Sequence, residues 1–461
     1  MAQEQLKTAE AQSRVQEAVK NIDKPEEVLK ASIATLDNFG GFDLLETLND
    51  LIENLNPEKK AKKRIFLTEE DQKAERESLK KSLQLWSEVI AGSADVASMV
   101  EDSQAKVDRA EQVVTKNLKT AVEATQQLER SYRSVGLFFA NSESTKVKNI
   151  SFLNAEPDQL SDLDDAKFFL EVQEEMVKNF DRLDLADNYG LLVLPGYLGK
   201  STVVDKWAKM AHDNKVLLIT DFKNMDQPDK VMAEFTKAKL SGGEVHRSNV
   251  IMSCNWLIGR GKFNELEEED DLYVPPAGAL AGKIYTTLMS QVTAGKKHGG
   301  MNEVDGVRFD LKKSEIAGLE KLGLVPMVKE YGKVMAFSAK TLFNGDNLGL
   351  QTYSVVRVFD YVAKVMMDFL NRRAFENFNA TTRKELNSQI VKFLDSITGP
   401  NKLIENFTID KFEQDPVQKD KIYLNINMKP YFPAKTFMIK LEGQKGDDGA
   451  DWSSEYAQSG K

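Results

Sequence analysis

The chain has 461 residues, 41% of them apolar and 29% charged, and carries a formal net charge of −10. This is the balance of a globular protein with material for several buried cores, and its sign speaks against a nonspecific grip on nucleic acid. No run approaches the ~18 consecutive apolar residues that span a bilayer, and Met1 to Lys20 are polar rather than signal-like, so a cytoplasmic protein without direct membrane insertion is expected. Cys254 is the single cysteine, which excludes an intrachain disulfide and a multi-cysteine zinc site. The three histidines, His212, His246 and His298, stand in no metal-ligand pattern. The commonest acid–base residue is thus scarce, and no enzyme and no cofactor are expected.

Residues 1–57 read as helical. Asp23-Lys24-Pro25-Glu26-Glu27 is a helix start, and Val28, Leu29, Ile33 and Leu36 form an apolar stripe at helical spacing. Gly40-Gly41 ends it. A second amphipathic run carries Leu44, Leu45, Leu48, Leu51, Ile52 and Leu55 and stops at Pro57. Glu58 to Arg64 is a charged linker, so a boundary is placed there.

The next expected domain, 58–351, is mixed α/β. Residues 69 to 139 lack proline and read as helix, interrupted at Gly92. A helical pair packed on a sheet is favoured over a free coiled coil. Val147 to Phe152 alternates like a strand. Leu191 to Leu194, Val216 to Ile219 and Asn249 to Leu257 are short apolar runs separated by the helical stretch Val203 to Ala211 and further polar segments. Strands alternating with helices predict a sheet covered on both faces. Glu265 to Asp271 reads as a solvated acidic loop, and Ala279 to Thr293 as a helix.

Residues 352–441 form a third expected domain. Thr352 to Phe378 and Thr382 to Ile397 read as two amphipathic helices, broken at Thr398-Gly399-Pro400. Three strands follow. In Lys421 to Met428, Ile422, Leu424 and Ile426 share one face and Asn425 lies on the other. Phe437, Ile439 and Leu441 alternate again. Residues 442–461 are rich in Gly, Asp, Ser and Gln and are expected to be disordered.

One stretch imitates a phosphate loop. An apolar strand leads into Pro195-Gly196-Tyr197-Leu198-Gly199-Lys200-Ser201-Thr202, and the next strand ends in Asp221, placed like a magnesium ligand. A Walker loop needs Gly-x-x-x-x-Gly-Lys-Ser/Thr so that backbone N–H groups wrap the phosphate. Here Gly196 lies three before Gly199, and Leu194 holds the position of the first glycine. A strand–turn–helix corner is the better reading. Cys254, among Met252, Trp256 and Leu257, reads as a buried inert thiol.

Five stretches in a common order resemble the large subunit of type VI secretion sheaths, the TssC/VipB family. Leu128-Glu129-Arg130-Ser131-Tyr132-Arg133-Ser134-Val135 is similar to that family's Leu-Glu-x-x-Trp-Arg-x-Leu helix, with Tyr132 for the tryptophan. Val147 to Glu156 resembles the strand after it. Leu319 to Met327 resembles a helix-to-strand segment, Asp360 to Ile390 a helix–loop–helix, and 403 to 441 the closing strands. Departures are the missing paired-histidine turn, a longer helical region over 90–125, and Met-Asn-Glu after Gly299-Gly300.

The resemblance implies a structural subunit with a central α/β domain and a C-terminal helix-plus-strand domain that shares strands between subunits. It would pair with a small sheath subunit of TssB/VipA type and with copies of itself, on a baseplate and around an inner tube. Ile422, Leu424, Asn425, Ile426, Phe437 and Ile439 are the residues expected in the shared strands. Val28, Leu29, Ile33 and Leu36 would meet either a ClpV-type unfoldase or the partner subunit. The alternatives are the tail sheath of a phage-like particle, or a nucleotide-binding enzyme using Lys200 and Asp221.

Overall fold

The computed structural model describes residues 62 to 457, apart from 63–64, 67, 93, 144–146, 148–149, 163–166, 186–187, 436 and 446–449. The two expected helices over 28–36 and 44–55, with Val28, Leu29, Ile33 and Leu36, lie outside the described residues. Internal contacts divide the chain into two units, Met1–Ala121 and Val122–Lys461.

In the first unit, helix α1 spans Lys73–Ala91 and helix α2 begins at Val96, running on to Asn141. Asp95 separates them by capping the second. Its carboxylate accepts from the Ser98 N–H at 2.7 Å, and Ser98 Oγ accepts from the Asp95 N–H at 3.1 Å. Leu79, Leu83 and Trp86 on α1 and Val100, Val107, Val114 and Leu118 on α2 are 47–63% exposed. No residue of known burial from 73 to 121 is buried. Both expected helices form, and their apolar stripes are exposed over this stretch.

The second unit is built on a five-stranded sheet. After helix α3 (Lys167–Phe180) come strand β1 (Leu191–Leu194), helix α4 (Ser201–Asp213), strand β2 (Leu217–Asp221), helix α5 (Pro228–Ala238) and strand β3 (Val250–Cys254). Strands β4 (Leu257–Arg260) and β5 (Leu272–Val274), helix α6 (Ala277–Thr286), strand β6 (Gly306–Val307), helix α7 (Lys313–Lys321), and strands β7 (Leu324–Glu330) and β8 (Lys333–Ala336) follow. The order is β1-β2-β3-β7-β8, parallel except for the β7–β8 pair, and β5-β4-β6 form a small antiparallel sheet beside it.

Strand alternation assigns each face a core. Leu218, Val250, Met252 and Cys254 join α3, α4, α5 and α7 around Trp207, Phe222 and Phe235. Leu217, Ile219, Ile251, Val325 and Met327 join α6 and Leu137 of α2. Each fully buried Leu, Ile or Phe contributes about 1.5–3 kcal/mol, so this doubly covered sheet holds most of the unit's stability. Helix α6 lies close against α2 because Gly278 and Gly282 leave room. A Cβ on either would strike the backbone of Ser134 or of Phe138.

The C-terminal part begins with helix α8 (Tyr353–Arg372) and helix α9 (Ala380–Ser396). Asn379 caps α9, accepting from the N–H groups of Thr381 and Thr382. Strands β9 (Ile404–Gln414) and β10 (Ile422–Pro430) form one antiparallel ribbon, and strands β11 (Met438–Lys445) and β12 (Ala450–Ala457) a second.

Three expectations need correction. Residues 147 and 150–156 form no strand. Alternation alone does not make one without an edge to pair with, and Phe152 instead stacks on Phe139 with centroids 6.1 Å apart. The helix expected to Thr293 ends at Thr286, where Thr287 turns extended at φ −85°, ψ 139°. The tail expected to be disordered from 442 carries the end of β11 and all of β12. Its Gly and Asp residues dominate the composition, while Trp452 and Tyr456, four apart, supply strand formers that composition averages away.

Candidate assembly interface

The first ribbon packs one face on the helices above it. Leu424, Ile426 and Met428 of β10 and Phe407, Ile409 and Phe412 of β9 join Val362, Met366, Leu386, Ile390 and Leu394 of α8 and α9. The apolar residues of β9 change phase, from Phe407 and Ile409 to Phe412. A register shift in the pairing absorbs the change: Asn425 is opposite Lys411 and Ile426 opposite Ile409, leaving Asp410 as the extra residue. The bulge keeps all three on the same face.

Of the residues expected in the shared strands, Leu424 and Ile426 are thus on the helix-packed face and Asn425 is exposed on the other. Ile422 departs from its expected packing. It sits opposite Gln414 at the far end of the ribbon, outside the core cluster, and is 41% exposed. Phe437, just before β11, and Ile439 and Leu441 on it are 56%, 52% and 55% exposed, an apolar row that none of the described residues buries. Both ribbons are two-stranded, and among the described residues no third strand pairs with either. Each therefore offers free N–H and C=O groups along its outer edges. Sequence reading missed β12, and with it the second ribbon.

The phosphate-loop mimic is closed by its own bonds. Gly196 and Gly199 turn the corner at φ +99° and +88°. The Gly196 N–H donates to Asp221 Oδ2 at 2.8 Å, while the Gly196 carbonyl accepts from Thr220 Oγ1 at 2.9 Å. Asp221 is fully buried, and its other oxygen accepts from the Ala277 N–H at 2.8 Å and from Ser253 Oγ. Burial pushes its carboxyl up to about 7, against the three donors, which pull it down. Both oxygens are committed to tying the loop after β1 to β3 and α6, a structural use in keeping with the strand–turn–helix reading of this corner. Ser201 Oγ donates to the Lys239 carbonyl at 3.1 Å. An open pocket of about 500 Å³ does lie here, bordered by Gly199, Lys200, Lys223, Lys237 and Glu234, while Gly196, whose N–H is held by Asp221, is not part of its lining.

The helix motif of α2 has a structural use. Glu129 holds Arg260 at 3.0 Å and Arg133 at 2.9 Å, and Arg133 donates to the Gly259 carbonyl at 2.9 Å. Arg260 also pairs with Glu268 at 2.7 Å. The acidic loop is therefore anchored rather than simply solvated, with Asp270 reaching Arg308 at 3.5 Å. Tyr132, standing at the tryptophan position, is 79% exposed. Cys254 is fully buried and its thiol is pushed up by desolvation, as an inert core residue requires. No helix among the described residues is long and apolar enough to cross a membrane.

A doubly covered α/β core followed, among the described residues, by two two-stranded ribbons defines a mixed α/β protein. Family models give the particular one. The type VI secretion system TssC/VipB central domain matches residues 120–344, the TssC/VipB-like C-terminal domain 352–458, and the TssC/VipB-like N-terminal region 29–118. The chain belongs to the TssC/VipB family.

Solved structures similar to it include the contracted helical sheath of the anti-feeding prophage, at 16% identity and TM-score 0.46, with 68% of this chain and 81% of that one covered. The baseplate of the same prophage matches at 18% and 0.40, covering 54% of this chain and 66% of that one. A sheath tail protein from Desulfitobacterium hafniense matches at 12% and 0.37, covering 64% and 60%. The chain thus spans just under two-thirds of the baseplate chain it matches. No curated protein matches.

Proposed function

We propose that this chain is a structural, non-catalytic subunit of a contractile type VI secretion sheath, which polymerises with a small TssB/VipA-type subunit around an inner tube. The observation that carries the reading is the pair of two-stranded ribbons with free edges, together with the exposed row Phe437, Ile439 and Leu441. A strand from a neighbouring subunit would satisfy the edge N–H and C=O groups and cover that row. Repeating the exchange head to tail, without closing a ring, makes an open helical tube.

Strand sharing also suits contraction. A β-ribbon joined to its core by a short linker keeps subunits attached while the cores slide between two packings. The energy of contraction would be stored during assembly, so this chain itself needs no nucleotide. In this reading a baseplate starts the polymer. Val28, Leu29, Ile33 and Leu36 meet a ClpV-type unfoldase after contraction, or else the small subunit.

Electron microscopy of the chain coexpressed with its small partner tests the proposal. Long hollow tubes are expected. Discrete particles that hydrolyse ATP would overturn it.

A further inference from the structure

We propose that the acidic loop 265–271 of one copy of this chain docks in the lysine-lined pocket beside α4 of a neighbouring copy. This contact rests on the proposed sheath, which supplies the neighbour.

The pocket, of about 500 Å³, is bordered by Lys200, Lys223 and Lys237 and by one carboxylate, Glu234. Glu234 serves two of the lysines, lying 3.5 Å from Lys223 and 3.7 Å from Lys237. Lys223 also stands over the Tyr197 ring, 5.4 Å from its centroid. Positive charge is therefore in excess at this opening, in a chain whose net charge is −10. Helix α4 starts at the same corner and adds to the excess. Its N-cap, Lys200, gives no side-chain cap, and its first turn carries no acidic residue to offset the positive end of the helix dipole. Like charges gathered at one opening repel, and an incoming carboxylate relieves that repulsion.

The loop between β4 and β5 has the complementary chemistry. Glu268 is held by Arg260 and by the Phe263 N–H, both at 2.7 Å, and Asp271 accepts from the Lys262 N–H at 3.0 Å. A 3-10 turn over Asn264–Leu266 and a left-handed Glu267, at φ +53°, shape the backbone between them. These bonds preform the loop and leave Glu265 and Glu269 exposed, with no ion pair to either among the described residues. Within one chain, the pocket's ion pairs among the described residues run to Glu234 and not to this loop. Two preformed surfaces lose little conformational entropy on meeting. A loop and a pocket at different places on the chain make a heterologous contact, which can repeat head to tail without closing.

Charge exchange in the full-length chain, coexpressed with its small partner, tests the contact. Lys200→Glu with Lys237→Glu, and separately Glu265→Lys with Glu269→Lys, alter only exposed side chains and should leave the melting temperature unchanged. Each pair should raise the protein concentration needed for tubes by roughly tenfold or more, because like charges then face each other. All four changes together should restore the wild-type concentration. Neutralising Lys200 alone leaves Lys223 and Lys237 in place and should not prevent tubes. No effect from either pair overturns the inference. Failure of the combination to rescue also overturns it, and would give the pocket to a different acidic partner. A second measurement does not need tubes. Carbodiimide, which joins a carboxylate to an amine in contact with it, is applied to an equal mixture of isotopically light and heavy protein. Mixed-isotope peptides linking Glu265 or Glu269 to Lys200, Lys223 or Lys237 are expected in whatever assembly forms. Their absence rejects the contact, whereas the link found in discrete particles without tubes would overturn the sheath reading alone.

Discussion

The central sheet and the C-terminal ribbons are both β-structure, but they solve the edge problem in opposite ways. In the central sheet, β2, β3 and β7 have neighbours on both sides and helices on both faces, and β2 and β3 are buried throughout. Among the described residues each ribbon strand has one neighbour, and Ile439 and Leu441 of β11 are exposed. The first arrangement puts stability inside the subunit. The second leaves backbone edges and apolar surface that, in the proposed sheath, a neighbouring subunit would satisfy. Damage to the sheet should therefore unfold the subunit, whereas damage to a ribbon should spare the fold and stop assembly.

The sharpest way to break this contrast is at the α2–α6 contact. Gly282→Val would push a branched side chain into the backbone at Phe138. Overpacking of this kind costs about 1–3 kcal/mol and more where backbone must move, so a fall in Tm of several degrees is expected. A melting curve unchanged from the wild type would show that the contact is loose.

Asp221 gives a pH test of the same core. Its folded pKa, about 7, lies above the ordinary 3.8, so the folded state binds the proton more tightly. Its stabilising contribution is therefore fully present below about pH 4, is lost as pH rises to about 7, and is level above that. The difference between the two plateaus is at most about 4 kcal/mol. Asp221→Asn should remove this slope from urea-unfolding free energies measured between pH 5 and 7.5. A slope equal to the wild type's would assign the dependence to other groups.

The ribbon is probed by Asn425→Pro. Asn425 is exposed opposite Lys411, so little packing changes, but one N–H donor is lost and φ is restricted. The subunit should melt within about 1 kcal/mol of wild type and still bind its small partner, yet form no tubes by electron microscopy. Tubes of normal length would sink strand exchange. A large fall in Tm would instead mean that the ribbon is completed within one chain.

The smallest effect is expected at the phosphate-loop mimic. Lys200→Ala with Ser201→Ala removes the Ser201 bond to the Lys239 carbonyl at an exposed corner and should shift stability by about 0.5–1 kcal/mol, leaving tubes intact. Tight ATP binding by the wild type that the double variant loses would restore the nucleotide reading.

The sequence by itself determined which stretches form the core elements. Short apolar runs at Leu191, Val216 and Val250 became parallel strands, and the period-two pattern of Leu424 and Ile426 became the helix-packed face of β10. Local patterning carries that information because burial sorts side chains by face. The glycine spacing favoured a strand–turn–helix corner at Gly196 to Thr202, and the chain turns there from β1 into α4, since the geometry of such a corner is itself local. Composition misread the tail, because β12 is fixed by its pairing to β11, a ladder that residue types summed over a window do not reveal. Tertiary structure alone decided that residues 147 and 150–152 form no strand, that Ile422 lies outside the cluster packed on α8 and α9, and that Asp221 spends its oxygens on Gly196, Ser253 and Ala277. Each of these depends on what lies nearby in space from far away in the chain, and no spacing along the sequence encodes that distance.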